Sequence, residues 1–215
     1  MAYREEEKYT GTRCIGVTGG VGSGKSEVLL YMEKAYGALV LRTDDIAREL
    51  MEPGEVCYEP VRALFGREIV REDGTFDRAA IAARVFADGE LLEKLNAVTH
   101  PAVLRRVNEL VHEAEAQKKA LVCVESALFV DERGNKKGNE TYRELWYVYT
   151  GEAVRRARLK ADRGYSDEKI TAVMASQVPD EVLRRCCDVV IDNSGDFADT
   201  KKQIDSLLRS RRQEV

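Results

Sequence analysis

The stretch GGVGSGKSE, which runs from Gly19 to Glu27, combines four glycines with a lysine and two serines. Its spacing matches the pattern GxxxxGK[ST], whose fixed positions fall on Gly19, Gly24, Lys25 and Ser26. Glycines let successive backbone N–H groups point toward one centre, and a helix that begins there adds the positive end of its dipole. A simple flexible turn would not need a lysine and a hydroxyl at this offset. The stretch therefore predicts a loop that binds the phosphates of a nucleoside triphosphate.

This phosphate loop implies a role for each of its polar groups. Backbone N–H groups from Gly20 to Ser26 are expected to bind the β-phosphate, Lys25 to reach the β and γ oxygens, and the Ser26 hydroxyl to bind Mg²⁺. The cation is needed because charge accumulates on the phosphoryl oxygens during transfer. The residues expected to contact the nucleotide in this loop are Gly20, Val21, Gly22, Ser23, Gly24, Lys25, Ser26 and Glu27.

Two neighbouring carboxylates follow the second apolar run of the chain, in the segment LRTDDIAREL. Asp44 and Asp45 would lie at the carboxyl end of a parallel strand, where open α/β sheets bind ligands. A carboxylate there can accept or orient the proton of an attacking hydroxyl group. The alternative is a helix N-cap, for which Thr43, Asp44 and Asp45 are all suited.

The segment GEAVRRARLKADRGYSDEKI, which begins at Gly151, is rich in arginine and is interrupted by Gly-Tyr-Ser. It follows a predicted strand in a chain that already has a phosphate loop, which favours a mobile lid that brings arginine over the phosphates. A solvated helical face is the alternative.

Five short apolar runs, separated by helical patterns, must position these groups. The runs at 14–18, 39–41, 121–124, 145–149 and 189–191 predict buried parallel strands, and hence an α/β sheet covered on both faces. The first helix should bury one face, formed by Val28, Leu29, Met32 and Ala35. From Asp45 to Lys119 the pattern is almost entirely helical, which is too long for one crossover and predicts an inserted helical subdomain.

Composition limits the class of protein. With 34 basic and 38 acidic residues the net charge is −4, which argues against a nucleic-acid surface. No apolar run approaches the roughly 20 residues that span a bilayer, and the opening MAYREEEKYTGTR lacks the apolar region of a signal peptide. We therefore expect a cytoplasmic protein. Five cysteines without a CxxC pair, and only two histidines, predict reduced thiols and no zinc site.

The segments TGGVGSGKSE, TDDIARELMEPG, THP, RLKADRGYSDE and DVVIDNSG, in this order and at these intervals, resemble the dephospho-CoA kinase family. The resemblance extends from Cys14 to about Leu208. It implies a P-loop kinase fold with a five-stranded parallel sheet of order 2-3-1-4-5, flanked by helices. The implied nucleotide-binding core comprises residues 1–45, 113–150 and 179–215, with a helical CoA-binding insertion at 46–112 and a lid at 151–178.

The resemblance also implies a reaction, in which ATP with Mg²⁺ phosphorylates the ribose 3′-hydroxyl of dephospho-CoA in the last step of coenzyme A synthesis. The base of the family falls on Asp44, although Arg42 replaces the first aspartate of its usual Asp-Ala-Asp motif. By position Arg158 is the lid arginine, while the next arginine of the family would match Asp162, one residue before Arg163.

Two further sites follow from the resemblance. Glu125, at the end of the third strand, is placed like a Walker B acid that holds a Mg²⁺-bound water, and Asn193 is expected to line the adenine pocket. We expect a monomer that binds neither nucleic acid nor membrane.

Two other functions share part of this pattern. Another small-molecule kinase, acting on a nucleoside monophosphate or a sugar acid, would have the same loop, lid and base, but the long helical insertion after Asp44 suits a larger acceptor. A GTPase switch would need an NKxD guanine motif and a DxxG segment after the third strand, and neither is present.

Overall fold

The computed structural model describes residues 11–138 and 140–209. Strands and helices alternate around the sheet, as predicted. The strands are β1 (Arg13–Thr18), β2 (Leu39–Arg42), β3 (Leu121–Glu125), β4 (Glu144–Tyr149) and β5 (Val189–Asp192). The helices are α1 (Lys25–Tyr36), α2 (Thr43–Glu49), α3 (Tyr58–Phe65), α4 (Arg78–Ala87), α5 (Gly89–Ala116), α6 (Glu152–Arg163), α7 (Asp167–Ala175), α8 (Asp180–Cys186) and α9 (Phe197–Arg209), with a 3₁₀ turn at Arg67–Ile69.

The five strands form one sheet of order β2-β3-β1-β4-β5, which confirms the predicted order. β1 pairs in parallel with both β3 and β4, so the loop that follows β1 leaves the sheet at its centre. Because every strand of a parallel sheet needs a crossover, helices cover both faces, and the strands are mainly apolar apart from a charged residue at one end of each. β4, for example, is buried at every position except Tyr149, which is half-buried.

Helix α1 packs against the sheet through Val28, Leu29 and Met32, all of which are fully buried. The expected fourth member of this face, Ala35, is exposed instead. It lies in the last turn of the helix, where the rings of Tyr31 and Tyr36 pack against the core in its place.

The chain divides into two compact units, one formed by Met1–Val40 and Glu113–Val215 and the other by Leu41–His112. The second unit is helical, with a core that includes Val61, Phe65 and Ile69. Its turn between α3 and α4 is closed by the Tyr58 and Phe76 rings, which stack with centroids 4.7 Å apart. Within the residues described, no helix combines the length and apolar character needed to cross a membrane.

Candidate active site

The phosphate loop connects the end of β1 to the start of α1. Gly22 and Gly24 have φ values of 80° and 84°, a left-handed conformation that costs glycine little. Gly24 is the N-cap of α1, and this helix has no side-chain cap hydrogen bond, so the positive end of its dipole faces the loop. Lys25 folds back over the loop, and its Nζ donates to the carbonyl oxygens of Gly19 at 2.7 Å and Gly20 at 3.3 Å. The loop thus combines N–H donors at the start of α1 with the positive charge of Lys25.

Some backbone donors of the loop already have acceptors within the protein. The Val21 N–H donates to Oε1 of Gln177 at 3.3 Å, and the Ser23 N–H donates to the Gly20 carbonyl at 3.2 Å. The expectation that all N–H groups from Gly20 to Ser26 bind phosphate is therefore too broad for this conformation. The best-placed donors are those of Gly24, Lys25 and Ser26, at the cap and first two positions of α1.

One face of α6 lies directly on this loop. Arg155, Arg158 and Leu159 share that face because residues three and four apart are neighbours on a helix. Arg155 donates from Nε to the Val21 carbonyl at 3.1 Å. Leu159 packs so closely on Gly22 that a Cβ there would lie 3.0 Å from its Cγ. The base of the predicted lid is therefore in contact with the phosphate loop.

Arg158, the arginine predicted for the lid, lies beside the start of α1. Its Nη2 donates to the Asn193 carbonyl at 3.0 Å, and its Nη1 lies 3.1 Å from where a Cβ on Gly24 would stand. Among the described residues Nη1 is a buried donor without a hydrogen-bond partner, as is the buried Ser23 hydroxyl. Arg163, the other candidate, is exposed, with its guanidinium carbon 6.0 Å from the centre of the Tyr165 ring.

The side chain of Asn193 contacts the phosphate loop. It is completely buried; its Nδ2 donates to the Ser23 carbonyl at 2.9 Å, and its Oδ1 accepts from the Thr200 hydroxyl at 2.9 Å. Both ends of the carboxamide are thus bonded to protein, so the side chain holds the loop, and the expected contact of Asn193 with adenine stays a prediction. The buried Thr150 hydroxyl also lies 2.9 Å from the Ser23 carbonyl, a contact that no sequence pattern indicated.

The two candidate metal ligands are Ser26, at the start of α1, and Glu125, at the end of β3. Ser26 is the second residue of α1 and is exposed, while Glu125 is the last residue of β3 and pairs in register with Val17 of β1. Both offer oxygen donors, which Mg²⁺ prefers. The part of the chain described contains no group of three or more acidic, histidine or cysteine side chains that could hold a metal alone. A magnesium site here would therefore need ligand oxygens from a bound phosphate and from water.

Asp44 and Asp45 lie in the first turn of α2, directly after β2. The N-cap position belongs to Arg42 and has no side-chain cap, so the capping interpretation of the aspartates is wrong. Asp45 accepts a hydrogen bond from Arg48 at 2.8 Å, whereas Asp44 is exposed.

Comparisons with known sequences identify one family. A family model described as dephospho-CoA kinase matches residues 13–199. A relative from Corynebacterium glutamicum named dephospho-CoA kinase is 37% identical, over 90% of this chain and 97% of that protein.

Solved structures share the fold of this chain. The crystal structure of TT1252 from Thermus thermophilus has a TM-score of 0.75 at 32% identity and covers 94% of this chain and 98% of its own. A dephospho-CoA kinase from Campylobacter jejuni shares the fold, with a TM-score of 0.61 at 19% identity over 93% of this chain and 97% of its own.

Proposed function

This chain belongs to the dephospho-CoA kinase family, and we propose that its phosphate loop binds ATP and that Asp44, Lys25 and Arg158 carry the phosphoryl transfer. The reaction moves the γ-phosphoryl group of ATP to the ribose 3′-hydroxyl of dephospho-CoA, which yields coenzyme A and ADP.

The observation that best supports a nucleotide site is the buried Nη1 of Arg158, which has no hydrogen-bond partner among the residues that the structure describes. A buried guanidinium donor without an acceptor costs free energy unless a ligand or an ordered water supplies one. This donor lies next to Gly24, at the positive end of α1, where a phosphate oxygen would satisfy it. The residues present thus fit a triphosphate.

Each group has a distinct task in the transfer. The N–H groups of Gly24, Lys25 and Ser26 hold phosphate oxygens, and Lys25 neutralises charge on the β and γ positions. Arg158 stabilises the charge that spreads over the transferred group, and its bond to Asn193 fixes its direction beforehand. Such preorganised donors act mainly in the transition state, so they raise kcat more than they tighten binding.

Mg²⁺ fits the oxygen donors of this site. The Ser26 hydroxyl would bind it directly, and Glu125 would hold one of its waters. When bound, the metal neutralises charge that develops on the phosphoryl oxygens.

Asp44 is proposed to accept or orient the proton of the 3′-hydroxyl. The exposure of Asp44 leaves its carboxylate accessible to a substrate, whereas Asp45 is engaged by Arg48.

The experiment that tests this function is an acceptor panel. Consumption of ATP is measured with dephospho-CoA, AMP, CMP, shikimate and gluconate at equal concentration. We expect transfer to dephospho-CoA to exceed all others; preferred use of a nucleoside monophosphate or a sugar acid would instead identify another small-molecule kinase. The same panel with GTP in place of ATP tests the preference for the donor.

We also propose that the enzyme works as a monomer in the cytoplasm and binds no nucleic acid. A net charge of −4 provides no excess of positive charge for a nucleic-acid backbone. Light scattering at working concentration gives the molar mass that tests the monomer.

A further inference from the structure

We propose that Arg155 is a positioning residue, which holds the tip of the phosphate loop in the shape that binds ATP. The inference rests on the proposed function, since it concerns how the same loop is shaped. Arg155 lies on α6 and is only 4% exposed, which is unusual for an arginine.

The guanidinium of Arg155 makes three contacts with different partners. Nε donates to the Val21 carbonyl at 3.1 Å, Nη2 donates to Gln177 Oε1 at 2.6 Å, and Nη1 lies 3.5 Å from Asp180 Oδ1. Gln177 Oε1 also accepts from the Val21 N–H at 3.3 Å. The N–H and the carbonyl of Val21 are thus both held, one by Gln177 and the other by Arg155.

The phosphate loop packs directly against this guanidinium at Gly20. A Cβ on Gly20 would collide with Nη2 of Arg155 and lie 2.8 Å from Gln177 Oε1. Any side chain at position 20 would therefore displace the arginine or the loop. The Arg155 guanidinium can be buried against the loop because Gly20 has no side chain.

The partners of Arg155 are themselves fixed. Asp180, at the start of α8, accepts a hydrogen bond from the Tyr147 hydroxyl at 2.6 Å. Tyr147 is almost completely buried in β4, and burial together with this hydrogen bond raises its pKa, so the hydroxyl stays a donor. The sheet thus anchors the carboxylate that faces Arg155.

Packing alone does not account for a buried arginine at this place. A buried ion pair rarely stabilises a fold more than apolar side chains of similar size, because removing both charges from water is costly. An apolar residue could fill the same volume, but it could not donate to the Val21 carbonyl. The contact specifies the loop conformation, and it leaves Gly24, Lys25 and Ser26 as the donors for phosphate.

The test is the affinity for ATP, measured by calorimetry without the second substrate. We expect Arg155→Gln to lose about tenfold to a hundredfold in affinity, because the released loop no longer presents its N–H groups in the geometry that binds phosphate, and a misplacement of about 1 Å can cost ~10²-fold. Arg155→Lys should not restore it, because an ammonium group cannot make three contacts in a fork. In steady-state kinetics the KM for dephospho-CoA should stay constant.

Arg156→Gln is the matched control, since Arg156 is the next residue on α6 but pairs with Glu152 at 2.8 Å. If Arg155→Gln folds and binds ATP within twofold of the parent, the inference is overturned. A lowered melting temperature with unchanged ATP affinity would show that Arg155 only stabilises the fold. If it does not fold, Gln177→Ala releases the Val21 N–H without removing the buried charge, and unchanged ATP affinity there overturns the inference equally. Failure of the parent protein to bind ATP would contradict the proposed function instead.

Discussion

Arg158 on α6 donates a hydrogen bond from Nη2 to the backbone carbonyl of Asn193, at 3.0 Å. This bond joins the helix after β4 to the loop after β5 and directs Nη1 toward Gly24, at the start of α1. The arginine is therefore held at the phosphate loop by the backbone itself, and several consequences of this placement can be measured.

We expect Arg158→Ala to lower kcat by roughly 10²- to 10³-fold, the usual loss for one preorganised donor to a developing charge. The affinity for ATP should change far less, because the contact acts mainly in the transition state. Steady-state kinetics and an ATP titration separate the two effects. Arg163→Ala is the control, since Arg163 is exposed at the end of the same helix. Full activity in both variants would show that the arginine-rich segment is only a solvated helical face.

Replacement of Asp44 by asparagine keeps the size of the side chain and removes its basicity. We expect Asp44→Asn to lower kcat by roughly 10²- to 10⁴-fold, the range for a positioned general base, with little change in ATP affinity or melting temperature. Asp45→Asn should do much less, because Asp45 is paired with Arg48. A loss below about fivefold in Asp44→Asn, or a larger loss in Asp45→Asn, would show that the wrong carboxylate had been assigned.

The sheet and the loop were predictable from local patterns, since each strand is a short apolar run and the loop is a contiguous motif. The roles of Asn193 and Arg155 were not, because their partners lie far away in sequence: Arg155 contacts Val21 from a distance of 134 residues. One signal was present, namely that Arg155, Arg158 and Leu159 share a helical face. Which surface that face would cover depends on the folded chain.

Glu125→Gln should raise the concentration of Mg²⁺ needed for half-maximal activity. We expect a shift of about tenfold, typical for the loss of a group that orients a metal-bound ligand. The measurement is a Mg²⁺ titration of activity at saturating ATP. Glu152→Gln is the control, because Glu152 is an exposed carboxylate paired with Arg156. Equal Mg²⁺ requirements in all three proteins would exclude Glu125 from the metal site.

Stability in acid should depend on Asp205, whose Oδ1 accepts hydrogen bonds from the hydroxyls of Tyr31 and Tyr36, both at 2.6 Å. These bonds favour the carboxylate and hold the pKa of Asp205 below its ordinary value. A lowered pKa stabilises the folded protein above the unfolded value near 4, and this contribution disappears as the pH falls through the folded value.

Asp205→Asn keeps an acceptor for both tyrosines but does not titrate. We therefore expect its free energy of unfolding to fall less between pH 5 and pH 2 than that of the parent, as measured by urea denaturation. Asp199→Asn, which removes an exposed ion pair with Lys202 on the same helix, should follow the parent. If the free energy of unfolding falls by the same amount in all three proteins, Asp205 is not the group that makes stability depend on pH.

The most direct test of the account is to identify the product formed from ATP and dephospho-CoA, by phosphorus NMR with mass spectrometry, in the parent and in Lys25→Ala. The parent should form one ADP for each coenzyme A, with the new phosphate on the ribose 3′-oxygen. Lys25→Ala should fold normally and form almost none, because the charge on the β and γ oxygens is no longer neutralised. A phosphate at another position, ADP without coenzyme A, or undiminished turnover in a folded Lys25→Ala protein would contradict the account.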